Sequence, residues 1–341
     1  MTRRIFGAFM LLAGLIAALP AQAETKLLFN LFFPPGHFLQ EVMHSWAEDV
    51  EKVTGGNVKV DFAAGNLAPP PQQLSATASG IFDVSITANV FIKNKAPLVA
   101  VSQLPWLVTD AESASVALWQ LYSKRLANKR QYPDVQLLSL FHTGPARIYS
   151  LIDTPINSVS ELKRRRMWAL PGEAAEVLKA LDISPITSPA VQISESVSRG
   201  VVDGYTGLTP EAAVDFKASP YTKSVTVFPT GLTSTSFSVM INKAKWASLS
   251  DKDRAAILSV SGEKLAAKAG AAADKASASG LAKMRADGIQ VVSADVVLFN
   301  ALQAAAEPSY KKYEDIAEKA GLDGRSLLTE FKTLQEAAAK R

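Results

Sequence analysis

Cysteine is absent from all 341 residues. That absence excludes disulfides, a lipid-carrying N-terminal cysteine and thiolate metal sites together. Histidine occurs only three times, which leaves few candidates for acid–base or nucleophilic chemistry. Signatures of catalysis are missing too, with no G-x-S-x-G elbow, H-E-x-x-H, Walker A loop or G-x-G-x-x-G anywhere in the chain. Charge of one sign is also lacking. The 36 basic and 32 acidic side chains are interspersed, and no aromatic-plus-basic patch accompanies them, so there is no case for a nucleic-acid partner. Beyond the N-terminal segment, no stretch approaches the roughly 20 apolar residues of a membrane span.

What is there begins with an export signal. Residues 1–23 carry Arg3 and Arg4, an apolar run from Ile5 to Leu19, and the small-residue site Ala21-Gln22-Ala23. This is the layout of a secretory signal peptide, with cleavage expected after Ala23 and a mature chain starting at Glu24. Loss of Arg3 and Arg4 lowers the net charge from +4 to +2. The mature chain, without cysteine, must be held by its core alone, and its size favours two lobes over one.

Strand and helix signals alternate along it. Residues 26–33 (KLLFNLFF) read as a strand ended by Pro34-Pro35-Gly36. Phe38, Val42, Trp46 and Val50 recur every four residues, the spacing of a helix from His37 to Val53, and "VKVDF" then alternates like a strand. The rhythm continues with helices from Gln72, Ala111 and Glu173 and strands at "FDVSITA", "VQLLSLF", "RIYSLI" and "RRMWAL". "SRGVVDGYT" reads as a helix end, a stop at Gly200 and a strand. This is an α/β pattern. The Ala/Lys-rich stretch from Ser250 to about Ala286, opened by the cap-like Ser250-Asp251-Lys252-Asp253, predicts one helix of about 35 residues and roughly 50 Å, long enough to span both lobes. His37, Glu41 and His44 share a helix face and read as a polar face rather than a metal site. No cofactor or metal is expected. Binding, not catalysis, is the reading that remains.

Five segments, in order, resemble the extracytoplasmic solute-binding proteins of tripartite ATP-independent periplasmic (TRAP) transporters, the DctP-like family. They are "FFPPGHFLQEVMHSWAEDVEKVTGGNVKV", "LSLFHTGPARIYS", "INSVSELKRRRMWALPGEAAEVLKALDISPI", "VSRGVVDGYTG" and "FSVMINKAKWASLSDKDRAAIL". The resemblance implies a two-lobed α/β periplasmic-binding-protein fold with hinge strands and a long helix spanning both lobes. It divides the chain into residues 24–150 plus about 235–265, and residues 151–234 plus about 266–341, bridged by the helix at about 250–286. It also implies a periplasmic protein that closes over a small solute and delivers it to one small and one large integral membrane subunit; the solute is read as a small organic acid with an apolar portion, and the chain as a monomer. A sensor that reports the same solute is the alternative partner.

In most of that family an arginine on the strand after the "ELK" region forks onto the solute's carboxylate, a geometry that suits guanidinium. Counting from Glu161-Leu162-Lys163 and from Ala174-Ala175-Glu176 puts Trp168 at that position. Three readings follow. Arg147 holds the anion and Trp168 lines the cleft; or the solute is an amine or neutral molecule facing the indole; or Arg166, two residues away on the same strand face, takes over. The run Arg164–Arg166 reads otherwise as a solvated turn. By position, Phe32, Phe33, His37, Asn89, Tyr205, Thr206 and Phe237 are further cleft candidates, while Trp106 reads as core and His142 as a buried polar group satisfied by its neighbours.

Overall fold

A computed structural model describes residues 24–340. The signal-peptide segment lies outside the described residues. Eleven strands appear among them: β1 (Thr25–Asn30), β2 (Val58–Phe62), β3 (Val84–Ala88), β4 (Val135–His142), β5 (Arg147–Ser150), β6 (Met167–Ala169), β7 (Ile186–Thr187), β8 (Gly204–Leu208), β9 (Ser224–Val227), β10 (Ser236–Asn242) and β11 (Gln290–Ser293). The helices are α1 (Phe38–Val53), α2 (Gln73–Ala78), α3 (Ala111–Leu121), α4 (Val159–Lys163), α5 (Glu173–Ala180), α6 (Ile193–Ser198), α7 (Pro210–Asp215), α8 (Lys243–Ser248), α9 (Asp251–Ser259), α10 (Gly262–Ala286), α11 (Val296–Lys319) and α12 (Gly324–Ala338).

The strands form two sheets, ordered β2-β1-β3-β10-β4 and β11-β9-β5-β8-β6-β7. β1 pairs in parallel with β2 and β3, whereas β10 runs antiparallel between β3 and β4, so the chain returns to the first lobe late to complete its sheet. The second sheet repeats this economy at its centre. β5 is antiparallel to both β8 and β9, while β6 runs parallel to β8.

Two segments carry the chain between sheets, Thr143–Ala146 after β4 and the stretch from Phe228 to Thr235 before β10. They bond to each other as they cross, Thr143 N–H to Thr235 O at 2.9 Å and Ala146 N–H to Thr233 O at 2.7 Å. Gly231 is required here, because a Cβ would lie 2.3 Å from that of Pro145 and 2.9 Å from Val108 O.

The third link is α10, and it differs from the sequence expectation. The single helix predicted over 250–286 is two, α9 and α10. Ser250 caps α9 as expected, its Oγ accepting from Asp253 N–H at 3.0 Å. The break falls at Ser261-Gly262, where Gly262 takes φ +56° against the Trp119 indole, a conformation no continuing helix residue adopts. At 25 residues α10 runs roughly 37 Å. It still reaches both lobes, packing on α3 and α1 of the first and on α7 of the second.

The C-terminal helix corrects the division drawn from the sequence. α12 packs on α3, burying Leu327, Leu328 and Phe331 in the cluster that holds Leu98, Leu118, Leu140 and Met240, so this end of the chain belongs with the first lobe.

Candidate functional site

A cavity of about 60 Å³ lies between the two lobes, above the crossing segments. It has room for a few water molecules. Phe32, Phe33, Phe38, Phe91 and Phe237 come from the first lobe, Phe216 and Leu208 from the second, and Thr143, Ala146, Ser234 and Thr235 from the crossing segments.

The sequence puts the phenylalanines there by ending β1 early. The predicted strand 26–33 stops at Asn30, whose buried side-chain amide accepts from Leu67 N–H at 2.8 Å and donates to Gln73 Oε1 at 2.9 Å. Phe32 and Phe33 therefore turn off the sheet edge. The Phe33 ring sits 4.2 Å from Phe32, 4.4 Å from His37 and 6.0 Å from Phe237, which in turn stacks on Phe141 at 5.4 Å.

Few polar groups break this surface. His37 is the N-cap of α1, and its Nδ1 accepts from Leu39 N–H at 3.2 Å, which places the ring proton on Nε2. Burial lowers its pKa to about 3, so the ring is neutral, and Nε2–H has no partner among the described residues. Across the cavity, Glu211 is 5 % exposed. Thr209 donates its hydroxyl to Oε1 at 2.5 Å, and Oε2 is buried without a partner. Burial pushes this carboxyl up to about 7.

Arg147 lies at the rim. Its chain neighbour Ala146 and its cross-strand partner Leu208 line the cavity, while its own side chain does not. Its guanidinium makes one long bond, Nη1–H to Ala146 O at 3.4 Å, and Nε is buried without a partner. No carboxylate pairs with it among the described residues. Burial lowers its pKa, against which Tyr149 and Glu211 act.

The remaining candidates are placed elsewhere. Trp168 is fully buried, its indole N–H donating to Ser188 Oγ at 2.9 Å, and it gives no surface to the cavity. It stands opposite Tyr205, whose ring stacks on Tyr149 at 4.3 Å and whose hydroxyl bonds Thr222 Oγ1, so the three rings form a row across β6, β8 and β5. Thr206 Oγ1 donates to Arg147 O at 2.9 Å. Asn89 is held inside the first lobe between Ser236 and Ser238. Arg166 precedes β6, is exposed, and forks onto Asp203 with bonds of 2.9 and 2.7 Å, so it cannot replace an arginine at 168. Arg164 and Arg165 both pair with Glu161 at the surface turn.

Two neighbours correct expectation. Trp106 is half-buried rather than core, packed against Phe228 and Phe299 of the second lobe at φ +66° with its indole N–H unpartnered. His142 is satisfied on one side only: Nδ1 meets Ser234 Oγ at 3.2 Å, and Nε2 is buried alone. His44 is exposed and stacks on Phe62 at 3.8 Å, apart from buried His37, so the shared helix face forms no cluster. Sequence reasoning missed Glu211, Phe216 and Phe91. The signal for Glu211 was an acid one residue inside a helix opened by Pro210, followed by Ala212, Ala213 and Val214.

The profile of bacterial extracellular solute-binding protein family 7 (DctP) matches residues 29–316. The outer membrane transporter protein TsaT of Comamonas testosteroni is 33% identical over 333 residues, 96% of this chain and 97% of that protein. A TRAP periplasmic solute-binding protein of Bordetella bronchiseptica with bound (R)- and (S)-mandelate superposes with a TM-score of 0.87 at 28% identity, covering 92% of this chain and 99% of that one. A marine metagenome TRAP solute-binding protein specific for aromatic acid ligands, in complex with 3-hydroxybenzoate, gives 0.84 at 27% identity over 92% and 99%. With two sheets, two crossing segments and a cavity walled from both sides, the chain belongs to the DctP family of extracellular solute-binding proteins, the solute receptors of TRAP transporters.

Proposed function

We propose that this chain is exported to the periplasm with cleavage after Ala23, captures a small aromatic carboxylic acid in the interlobe cavity, and delivers it to the small and large membrane subunits of a TRAP transporter. The reading contains no chemical step and needs no cofactor. One observation carries it: a cavity walled by six phenylalanines drawn from both lobes. A flat apolar ring there touches both lobes at once, which is the differential contact a solute needs to bias the open–closed equilibrium toward closure. The relatives with bound mandelate and 3-hydroxybenzoate support an aromatic acid.

Magnitudes show that the ring alone is not enough. Burying roughly 150 Å² of apolar surface is worth about 4 kcal/mol, half of the ~8 kcal/mol that micromolar affinity represents. The carboxylate needs its own anchor. Arg147, at the rim and without a counter-ion, is that anchor on this reading, with neutral His37 Nε2–H a second donor. Trp168 contributes no platform for an amine, so the aromatic surface of the cavity comes from its phenylalanines.

The test is a thermal-shift screen of residues 24–341 against aromatic and aliphatic carboxylates, amines and neutral metabolites, with Arg147→Ala alongside. A ligand at 100 times its Kd adds about 2.7 kcal/mol, roughly 4 °C for a chain of this size. Aromatic carboxylates should shift the wild type and lose that shift in Arg147→Ala. A response confined to amines or neutral compounds rejects the reading.

A further inference from the structure

Among the polar groups of the cavity, Glu211 is the carboxyl, and its surroundings leave one of its oxygens unsupplied. Its side chain is 95% out of solvent (5 % exposed), and Oε1 is committed to the Thr209 hydroxyl at 2.5 Å. Oε2 has no hydrogen-bond partner. Ser277 on α10 lies close enough to the carboxyl to hold it toward its charged form, and Oε2 itself is left without a partner at hydrogen-bonding geometry. An unsatisfied buried carboxyl oxygen is expensive and rare. The walls beside it, Leu208, Ala212 and Phe216, offer nothing polar.

We infer that Glu211 Oε2 is the docking point for a hydroxyl group on the solute, so that the protein selects hydroxylated aromatic acids over their unsubstituted counterparts. A hydroxyl is the group that suits this oxygen in both of its protonation states. It donates to the carboxylate and accepts from the carboxylic acid. A second carboxylate on the solute would suit only the protonated state, and an ammonium only the ionised one. Selection follows from the cost of mismatch: a site built to bond a hydroxyl rejects the analogue lacking it, because the buried partner is then left unpaired. The inference rests on the aromatic-acid reading of the cavity and adds to it the second polar group of the solute.

The test is calorimetric titration of the mature protein with benzoate, its three monohydroxy isomers and mandelate, in wild type, Glu211→Gln and Glu211→Leu. At least one hydroxylated acid should bind wild type tenfold or more tighter than benzoate. Glu211→Gln, which keeps a donor and an acceptor at the same place, should retain that preference. Glu211→Leu should bring the two classes within about threefold of each other, by loss for the hydroxy acid and gain for benzoate. Equal binding of both classes by wild type, or a Glu211→Leu variant that keeps the preference, overturns the inference while leaving the aromatic-acid reading intact. No binding of any aromatic acid, with Glu211→Gln folded, brings both down together.

Discussion

Gly280 of α10 and Glu211 of α7 meet backbone to backbone: a Cβ on Gly280 would lie 2.4 Å from the Glu211 amide nitrogen. Ten residues earlier on α10, Gly270 makes the same approach to the first lobe, where a Cβ would lie 2.5 Å from Glu112 Cα. Between them Asp274 accepts from Ala111 and Glu112 N–H at 2.8 and 3.0 Å and so caps α3. One helix thus presses a glycine against the start of a helix in each lobe.

Gly280→Ala is therefore expected to destabilise. Alanine would add about 1 kcal/mol of helix propensity, but the opposing atoms are backbone and cannot rotate away, and forced overlap of this kind costs 1–3 kcal/mol or more. The melting temperature should fall by several degrees, and affinity for the solute should fall with it because α7 carries Glu211. Gly270→Ala should lower stability comparably with a smaller effect on affinity, since its contact lies on α3. A Gly280→Ala protein melting within 1 °C of wild type would show that the two helices have room to part.

Acid stability should be limited by two buried histidines. The pKa of His37 and of His142 is lowered to about 3 by burial, against an ordinary value of 6.5. Above pH 6.5 both are neutral in either state and their contribution is fully present. As pH falls from 6.5 toward 3, the unfolded chain takes up protons that the folded chain refuses, and stability drops by up to about 1.4 kcal/mol per pH unit for each residue. Urea midpoints measured from pH 7 to 4 should fall more steeply for wild type than for His37→Gln/His142→Gln. Parallel slopes would mean that these rings protonate in the folded state.

The alternation of strands and helices was legible because it depends on local periodicity and on glycine and proline stops, and α1 lies where its four-residue apolar spacing puts it. The break of the long helix was not legible, because it depends on Gly262 meeting Trp119, 143 positions away in sequence. The same distinction runs through the site. Phe33, His37 and Phe237 follow from their places at strand and helix ends, whereas Phe91, Phe216 and Glu211 reach the cavity only once the lobes face each other. Trp168 shows the limit of counting along a strand. Its place on the strand suggested a wall of the cleft, but the indole is core, and its hydrogen-bond partner Ser188 comes from the loop after β7.

Trp168 should behave as a core residue. Trp168→Phe keeps most of the ring and loses the bond to Ser188, so a loss of about 1–2 kcal/mol is expected with solute affinity within threefold of wild type. Trp168→Arg places a charge where no carboxylate waits and should prevent stable folding. A Trp168→Phe protein of normal stability that binds its solute tenfold more weakly would contradict this and return the indole to the solute.

Glu211 gives the opposite pH dependence to the histidines. Burial raises its folded pKa to about 7, with Asp215 adding to the rise, whereas the unfolded chain titrates near 4.5. Below 4.5 the carboxyl is protonated in both states and costs nothing. Between 4.5 and 7 the unfolded chain has released a proton that the folded chain keeps, so stability falls as pH rises, by about 3 kcal/mol in all, and is level above 7. Glu211→Gln has no proton to keep. Its stability relative to wild type should therefore climb from pH 4.5 to 7 and then plateau, which paired urea denaturations at five pH values would reveal. A difference that does not change with pH would mean that the carboxyl ionises in place, with Arg147 close enough to hold the charge. Bound hydroxy acid should reduce the difference, because the solute hydroxyl supplies the hydrogen bond that Oε2 lacks in its absence.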